Sequence, residues 1–185
     1  SYTYFEKYYP KDGDNNLHGK RVREFCEDNK GILWIGTEDG GLNRFDPKTK
    51  TFSFFAPSSG FTNIHGLCMV GDKLWVGTFS KGLKIVDTNT GNILKTYQKN
   101  ASPRSLIDNS IFAICRTTTG DIYLGTMFGL LRYNEQTDDF DRIEELAGRF
   151  VYDIKEDSGG NLWLATYVNG AYCYNVNEKK WKNYV

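Results

Sequence analysis

No apolar run in this sequence approaches the ~18–20 residues that a membrane-crossing helix requires, so the segment is expected not to insert into a membrane. Neither charge is in excess. The 23 Lys and Arg are balanced by 23 Asp and Glu, which leaves no basic surplus for phosphates and argues against direct nucleic-acid binding. Only 2 histidines are present, His18 and His65, and neither lies in a ligand motif. The 4 cysteines show no Cys-x-x-Cys spacing, so no metal and no cofactor is expected. A Gly-x-Ser-x-Gly elbow, a phosphate-binding glycine loop and a histidine beside a Ser or Cys nucleophile are all missing, and no catalytic residue is expected. Ser1 opens without a charged and apolar leader, so a signal peptide is expected to be absent or removed. Proline stands at only 4, whereas aromatics reach 15% and glycine 19 of 185 residues. That balance describes a folded, turn-rich, strand-rich chain long enough to bury a core.

A repeat organises it. Leu33-Trp34-Ile35-Gly36-Thr37, Leu74-Trp75-Val76-Gly77-Thr78, Ile122-Tyr123-Leu124-Gly125-Thr126 and Leu162-Trp163-Leu164-Ala165-Thr166 are versions of one phrase, its aromatic recurring after 41, 48 and 40 residues. An alternating run precedes each copy (22–28, 64–70, 111–116, 151–157), and a Gly- or Asp-containing turn joins the two. A third strand follows (41–46, 82–87, 129–134, 170–175), ending in Asp or Asn, and a fourth closes the unit (51–55, 93–97, 139–143, 180–184). Four short antiparallel strands per ~40–45 residues predict a propeller blade. The expected fold is all-β: a β-propeller segment of four four-stranded antiparallel blades, over 21–57, 58–99, 100–145 and 146–185. Residues 2–9 read as one further strand. Because the fourth copy already has its own closing strand, residues 1–20 are expected to hold the last strand of a preceding blade and its connection. The missing blades of a parent array are thus expected partners. So is a second copy, since two arcs meeting head to tail would close a ring.

The phrase around Glu27-Asp28, Gly31, Leu33 to Thr37 and Gly40 to Asp46 resembles the two-component regulator propeller repeat, and Glu156-Asp157 with Gly160 to Trp163 repeats it. The second and third copies depart from it, with Gly71-Asp72 and Thr117-Thr118-Thr119 in place of the acidic turn and Tyr123 in place of Trp. The resemblance implies the periplasmic sensor region of a bacterial hybrid two-component system. It also implies a carbohydrate or oligosaccharide ligand, and a histidine kinase outside this chain that receives the signal. A protein-binding scaffold is the alternative reading, with a propeller lyase or hydrolase behind it.

The loops between second and third strands occupy equivalent places in every blade and share a face with the inter-blade connections. Loops of this kind tend to carry function. Glu38, Asp39, Phe79, Lys81, Phe128, Tyr167 and Asn169 are therefore the candidate ligand-binding residues, aromatic faces suiting sugar rings and polar groups suiting hydroxyls. Against this stands the plainer reading that Phe79, Phe128 and Tyr167 pack against neighbouring blades. Cys26, Cys68 and Cys115 share one register of the first strand and read as packing thiols, as does Cys173. Glu27-Asp28 and Glu156-Asp157 read as turn-stabilising groups.

Overall fold

A computed structural model describes residues 4–10 and 15–185. It contains sixteen strands in four antiparallel meanders. Blade 1 is β1 (Val22–Glu27), β2 (Leu33–Thr37), β3 (Leu42–Asp46) and β4 (Thr51–Phe55). Blade 2 is β5 (Ile64–Val70), β6 (Lys73–Thr78), β7 (Leu83–Asp87) and β8 (Ile93–Tyr97). Blade 3 is β9 (Ile111–Arg116), β10 (Ile122–Thr126), β11 (Gly129–Asn134) and β12 (Asp139–Arg142). Blade 4 is β13 (Val151–Glu156), β14 (Leu162–Thr166), β15 (Ala171–Asn175) and β16 (Lys180–Tyr184). The first strands pack in succession, β1 on β5, β5 on β9 and β9 on β13, and so form the inner wall of an arc. No comparable contact joins β13 to β1 among the described residues.

The apolar residues fall into layers between blades. Trp34 and Leu42 meet Phe61, Ile64, Leu67 and Leu74 between blades 1 and 2. Trp75 and Leu83 meet Leu106, Ile111, Leu124 and Phe140 between blades 2 and 3, and Tyr123 and Leu130 meet Leu146, Val151, Ile154 and Leu164 between blades 3 and 4. This lamination explains why the phrase is apolar on both sides: in blades 2 and 3 one face of the second strand packs on the preceding blade and the other on the next. It also explains the glycine before the threonine. A Cβ on Gly36 would sit 2.6 Å from Ile64 Cγ2, and one on Gly77 would sit 2.8 Å from Ile111 Cγ2. The next blade's first strand occupies the space a side chain would need. In the fourth copy no described strand takes that place, and the residue is Ala165, with Trp163 39% exposed where Trp34 is 0%.

Turn chemistry varies with the copy. In blade 1, Asp28 Oδ1 accepts from Lys30 N (2.8 Å) and Ile32 N (3.1 Å), and Oδ2 accepts from Trp34 Nε1 (3.0 Å). In blade 4, Asp157 accepts from Gly159 N, Asn161 N and Trp163 Nε1 in the same way. Blade 3 substitutes a hydroxyl, Thr117 Oγ1 accepting from Asp121 N at 3.0 Å. The acidic turns are thus the hydrogen-bonding hub of a hairpin and its tryptophan.

The strand expected over 2–9 is not formed where the structure describes it. Residues 4–9 enter no sheet, and residues 2 and 3 lie outside the described residues. A strand needs a partner edge to accept its ladder bonds, and no described strand offers one there. Tyr8 instead packs its ring at an angle against Phe45 (5.1 Å) and edge-on against Phe52 (5.6 Å), on the flank of blade 1.

Blades 2 and 3 are also joined at their outer edge. Asp138, in the turn before β12, accepts hydrogen bonds from Lys95 Nζ, Tyr97 Oη and Tyr133 Oη. Burial alone would raise its pKa, but these donors outweigh burial and lower it from an ordinary 3.8 to about 2. The folded state therefore binds fewer protons than the unfolded chain between these values. The stabilisation is present above pH ~4 and is lost as pH falls toward 2. Asp138→Asn is expected to flatten that acid limb when thermal midpoints are followed from pH 6 to 2. Unchanged limbs would show that the cluster does not stabilise the fold. Its side chain is 45% exposed, so solvent screening keeps the effect modest.

Candidate functional site

Every first strand begins with the same irregularity. The pairing of β1 with β2 runs from Val22↔Thr37 to Glu24↔Gly36 and skips Arg23. His65, Phe112 and Tyr152 are skipped in the same way in β5, β9 and β13. Such bulges re-aim a side chain out of the ladder, and they collect beside binding sites. Here four of them fall at one register on the inner wall.

The adjoining loops are held to match. Thr37, Thr78, Thr126 and Thr166 each donate a side-chain hydrogen bond to the carbonyl of the glycine opening the third strand, at 2.7, 2.7, 2.9 and 2.5 Å. The next residue in each copy, Glu38, Phe79, Met127 or Tyr167, donates its N–H to the carbonyl of Arg21, Asn63, Ser110 or Phe150. Each loop is thereby fastened just ahead of a bulge. The result is two adjacent tiers of side chains at the end of the arc where the inter-blade connections enter.

Aromatic contacts run along these tiers from blade to blade. His65 lies 4.6 Å from Phe112 and 6.5 Å from Phe79, Phe112 lies 4.6 Å from Phe150, and Phe150 lies 6.0 Å from Tyr167 and 6.2 Å from Tyr152. All of these but Phe79 border a groove of about 510 Å³ whose walls also carry Arg23, Glu24, Asp153 and Lys155. Burial, then the charge of Arg23, lowers the His65 pKa against an opposing pull from Glu38, so its imidazole is uncharged at neutral pH. Arg23 Nη2 donates to Glu38 at 3.0 Å, and Arg21 lies 3.8 Å from the same carboxylate.

Of the residues singled out from sequence, Tyr167 lines the groove, Phe79 touches its His65 and Phe112, and Glu38 holds its Arg23. The others stand apart. Asp39 accepts from the backbone N–H groups of Lys20 and Arg21, which lower its pKa and fix the entry into β1. Lys81 gives its N–H to Thr78 Oγ1, Phe128 is 53% exposed, and the carbonyl of Asn169 accepts from Asn183 Nδ2. Sequence reasoning missed His65, Phe112, Phe150 and Tyr152. The available signal was the position just after the first apolar residue of each first strand, filled by Arg, His, Phe and Tyr in otherwise similar copies. Among the described residues no three His, Cys, Asp or Glu side chains gather as a metal site, and burial raises the pKa of all four cysteine thiols.

Four meanders packed edge-inward around a common wall define a β-propeller, here built from a repeated tryptophan phrase. The chain carries the two component regulator propeller repeat, whose model matches at residues 16–39 and 145–168, the two stretches that contain the Asp–Trp turns. It is 32% identical to histidine kinase P4 of Formosa agariphila, over 73% of this chain and 11% of that protein. Its fold is similar to the extracellular domain of a hybrid two-component system of B. thetaiotaomicron, with a TM-score of 0.77 and 23% identity over 91% of this chain and 25% of that one. It is also similar to virginiamycin B lyase of Staphylococcus aureus, with a TM-score of 0.67 and 14% identity over 88% of this chain and 55% of the lyase. The chain thus spans about a tenth of the kinase it matches and a quarter of the sensor domain. No helix among the described residues is long and apolar enough to cross a membrane.

Proposed function

We propose that this chain is a non-catalytic, ligand-sensing propeller segment of a hybrid two-component sensor, placed outside the cytoplasm, that recognises a carbohydrate and passes the signal to a histidine kinase outside the chain. The observation that carries the reading is the shared bulge register, which turns His65, Phe112 and Tyr152 toward one groove and joins them to Phe150 and Tyr167. Aromatic faces beside hydrogen-bonding groups match the two surfaces of a sugar ring. Kinship with a histidine kinase supports the signalling half. Signalling requires that the ligand favour one of two arrangements of the sensor. The groove is walled by first strands of all four blades, so a ligand seated there would touch several blades at once.

Calorimetric titration with oligosaccharides from a polysaccharide digest tests this. Binding is expected, and Phe112→Ala is expected to weaken it on the order of tenfold, as the loss of one aromatic contact would. Mass spectrometry of the recovered saccharide should show it unaltered. Cleavage by the purified chain would overturn the non-catalytic reading, and affinity untouched by Phe112→Ala would overturn the site.

A further inference from the structure

Reading the groove as a saccharide site leaves open which saccharides it takes, and its charges answer that. The cations at the groove and its rim are Arg21, Arg23 and Lys155, and the anions are Glu24, Glu38 and Asp153. Arg21 and Arg23 both turn to Glu38, at 3.8 and 3.0 Å, and Lys155 lies 3.9 Å from Asp153. Glu24 accepts from the neighbouring Phe25 N–H, at 3.0 Å, and forms no ion pair among the described residues. His65, Phe79 and Phe112 touch one another as a triangle of rings.

We infer that the groove selects uncharged saccharides and discriminates against uronate-bearing chains, with Glu38 as the residue that sets this preference. The inference rests on the saccharide reading. An anionic sugar entering here finds Arg23 hydrogen-bonded to Glu38, Arg21 and Lys155 each facing a carboxylate at longer range, and Glu24 with no ion pair among the described residues. Its own charge would compete with Glu38 for Arg23 and would be repelled by Glu24, Glu38 and Asp153. A neutral sugar pays no such cost, because hydroxyls can donate to Glu24 and Glu38 and accept from Arg23 while the ring lies on Phe112 or Phe150. Planar guanidinium groups bind carboxylates through parallel hydrogen bonds when they are free to do so. Glu38 is what keeps Arg21 and Arg23 from doing so. Its backbone N–H is bonded to the Arg21 carbonyl, so the carboxylate is delivered to both arginines by the same loop fastening found in every copy.

The test compares tetrasaccharides of glucan, xylan, mannan and galactan with tetragalacturonate, titrated into the wild-type chain and into Glu38→Gln. Wild type is expected to bind at least one neutral tetrasaccharide and to bind tetragalacturonate at least tenfold more weakly. Glu38→Gln frees both arginines and is expected to raise tetragalacturonate affinity on the order of tenfold, an effect that 0.5 M salt erases. Wild type that binds tetragalacturonate as tightly as any neutral chain overturns the inference and leaves the saccharide reading standing. Glu38→Gln with unchanged affinity for tetragalacturonate overturns the role of Glu38. Binding of none of the five by wild type overturns the saccharide reading itself. Circular dichroism of Glu38→Gln, expected to match wild type, separates lost selectivity from lost fold.

Discussion

Replacing Asp28 by alanine is expected to cost about 3–4 kcal/mol of folding stability, read as a lower urea midpoint. The carboxylate is 6% exposed and serves three donors in one hairpin, among them the indole N–H of Trp34, a side chain with no exposed surface. Without the acceptor, that N–H and the Ile32 amide lose their partner in a buried place, the half-buried Lys30 amide loses it too, and each buried orphan is costly. Asp157→Ala supplies the control. Its donors are the same in kind, but Trp163 is 39% exposed, so water can replace the lost acceptor and the expected cost is nearer 1 kcal/mol. Equal losses in the two variants would show that burial of the tryptophan is not what makes the acidic turn matter.

Gly77→Ala is expected to destabilise by about 2–3 kcal/mol, because a Cβ there meets Ile111 Cγ2 at 2.8 Å and the Ile111 carbonyl oxygen at 3.1 Å. The carbonyl belongs to the next blade's backbone, which cannot step aside without parting blade 3 from blade 2. Ala165→Gly, at the equivalent place in blade 4, is expected to change stability by less than ~1 kcal/mol, the ordinary penalty of a glycine in a strand. Combining Gly77→Ala with Ile111→Ala should cost less than the sum of the two single changes, since the second relieves the crowding made by the first. Strict additivity in denaturant melts would mean that the two residues do not share that space.

The blades were legible because one phrase is written four times, and a repeated phrase needs no knowledge of partners. Its Trp, Gly and Thr each have a separate reason to recur: the aromatic fills the layer toward the next blade, the glycine admits that blade's first strand, and the threonine clasps the loop that follows. The bulges were not legible. Skipping Arg23 or His65 is a property of two strands in register, and Val22-Arg23-Glu24 looks like ordinary alternation when read alone. The loops between second and third strands adjoin the groove, yet a loop residue's direction depends on its hydrogen bonds. Glu38, Phe79 and Tyr167, like Met127, have their N–H tied beside a bulge, whereas Asp39, one place beyond Glu38, accepts from the backbone of Lys20 and Arg21. The strand expected at 2–9 illustrates the opposite limit. A suitable alternation of aromatics is present there, but extended chain becomes a strand only when an edge accepts it.

The four bulges also bear on how such a protein can change. Arg23, His65, Phe112 and Tyr152 share one backbone setting while differing in charge, shape and polarity, so that setting places little demand on what fills it. The surrounding phrase bears the demands of folding, and the bulge residue is released from them. Selection can therefore exchange these four side chains one at a time, as type is reset in a fixed frame, and retune what the groove accepts without redrafting the blades that hold it.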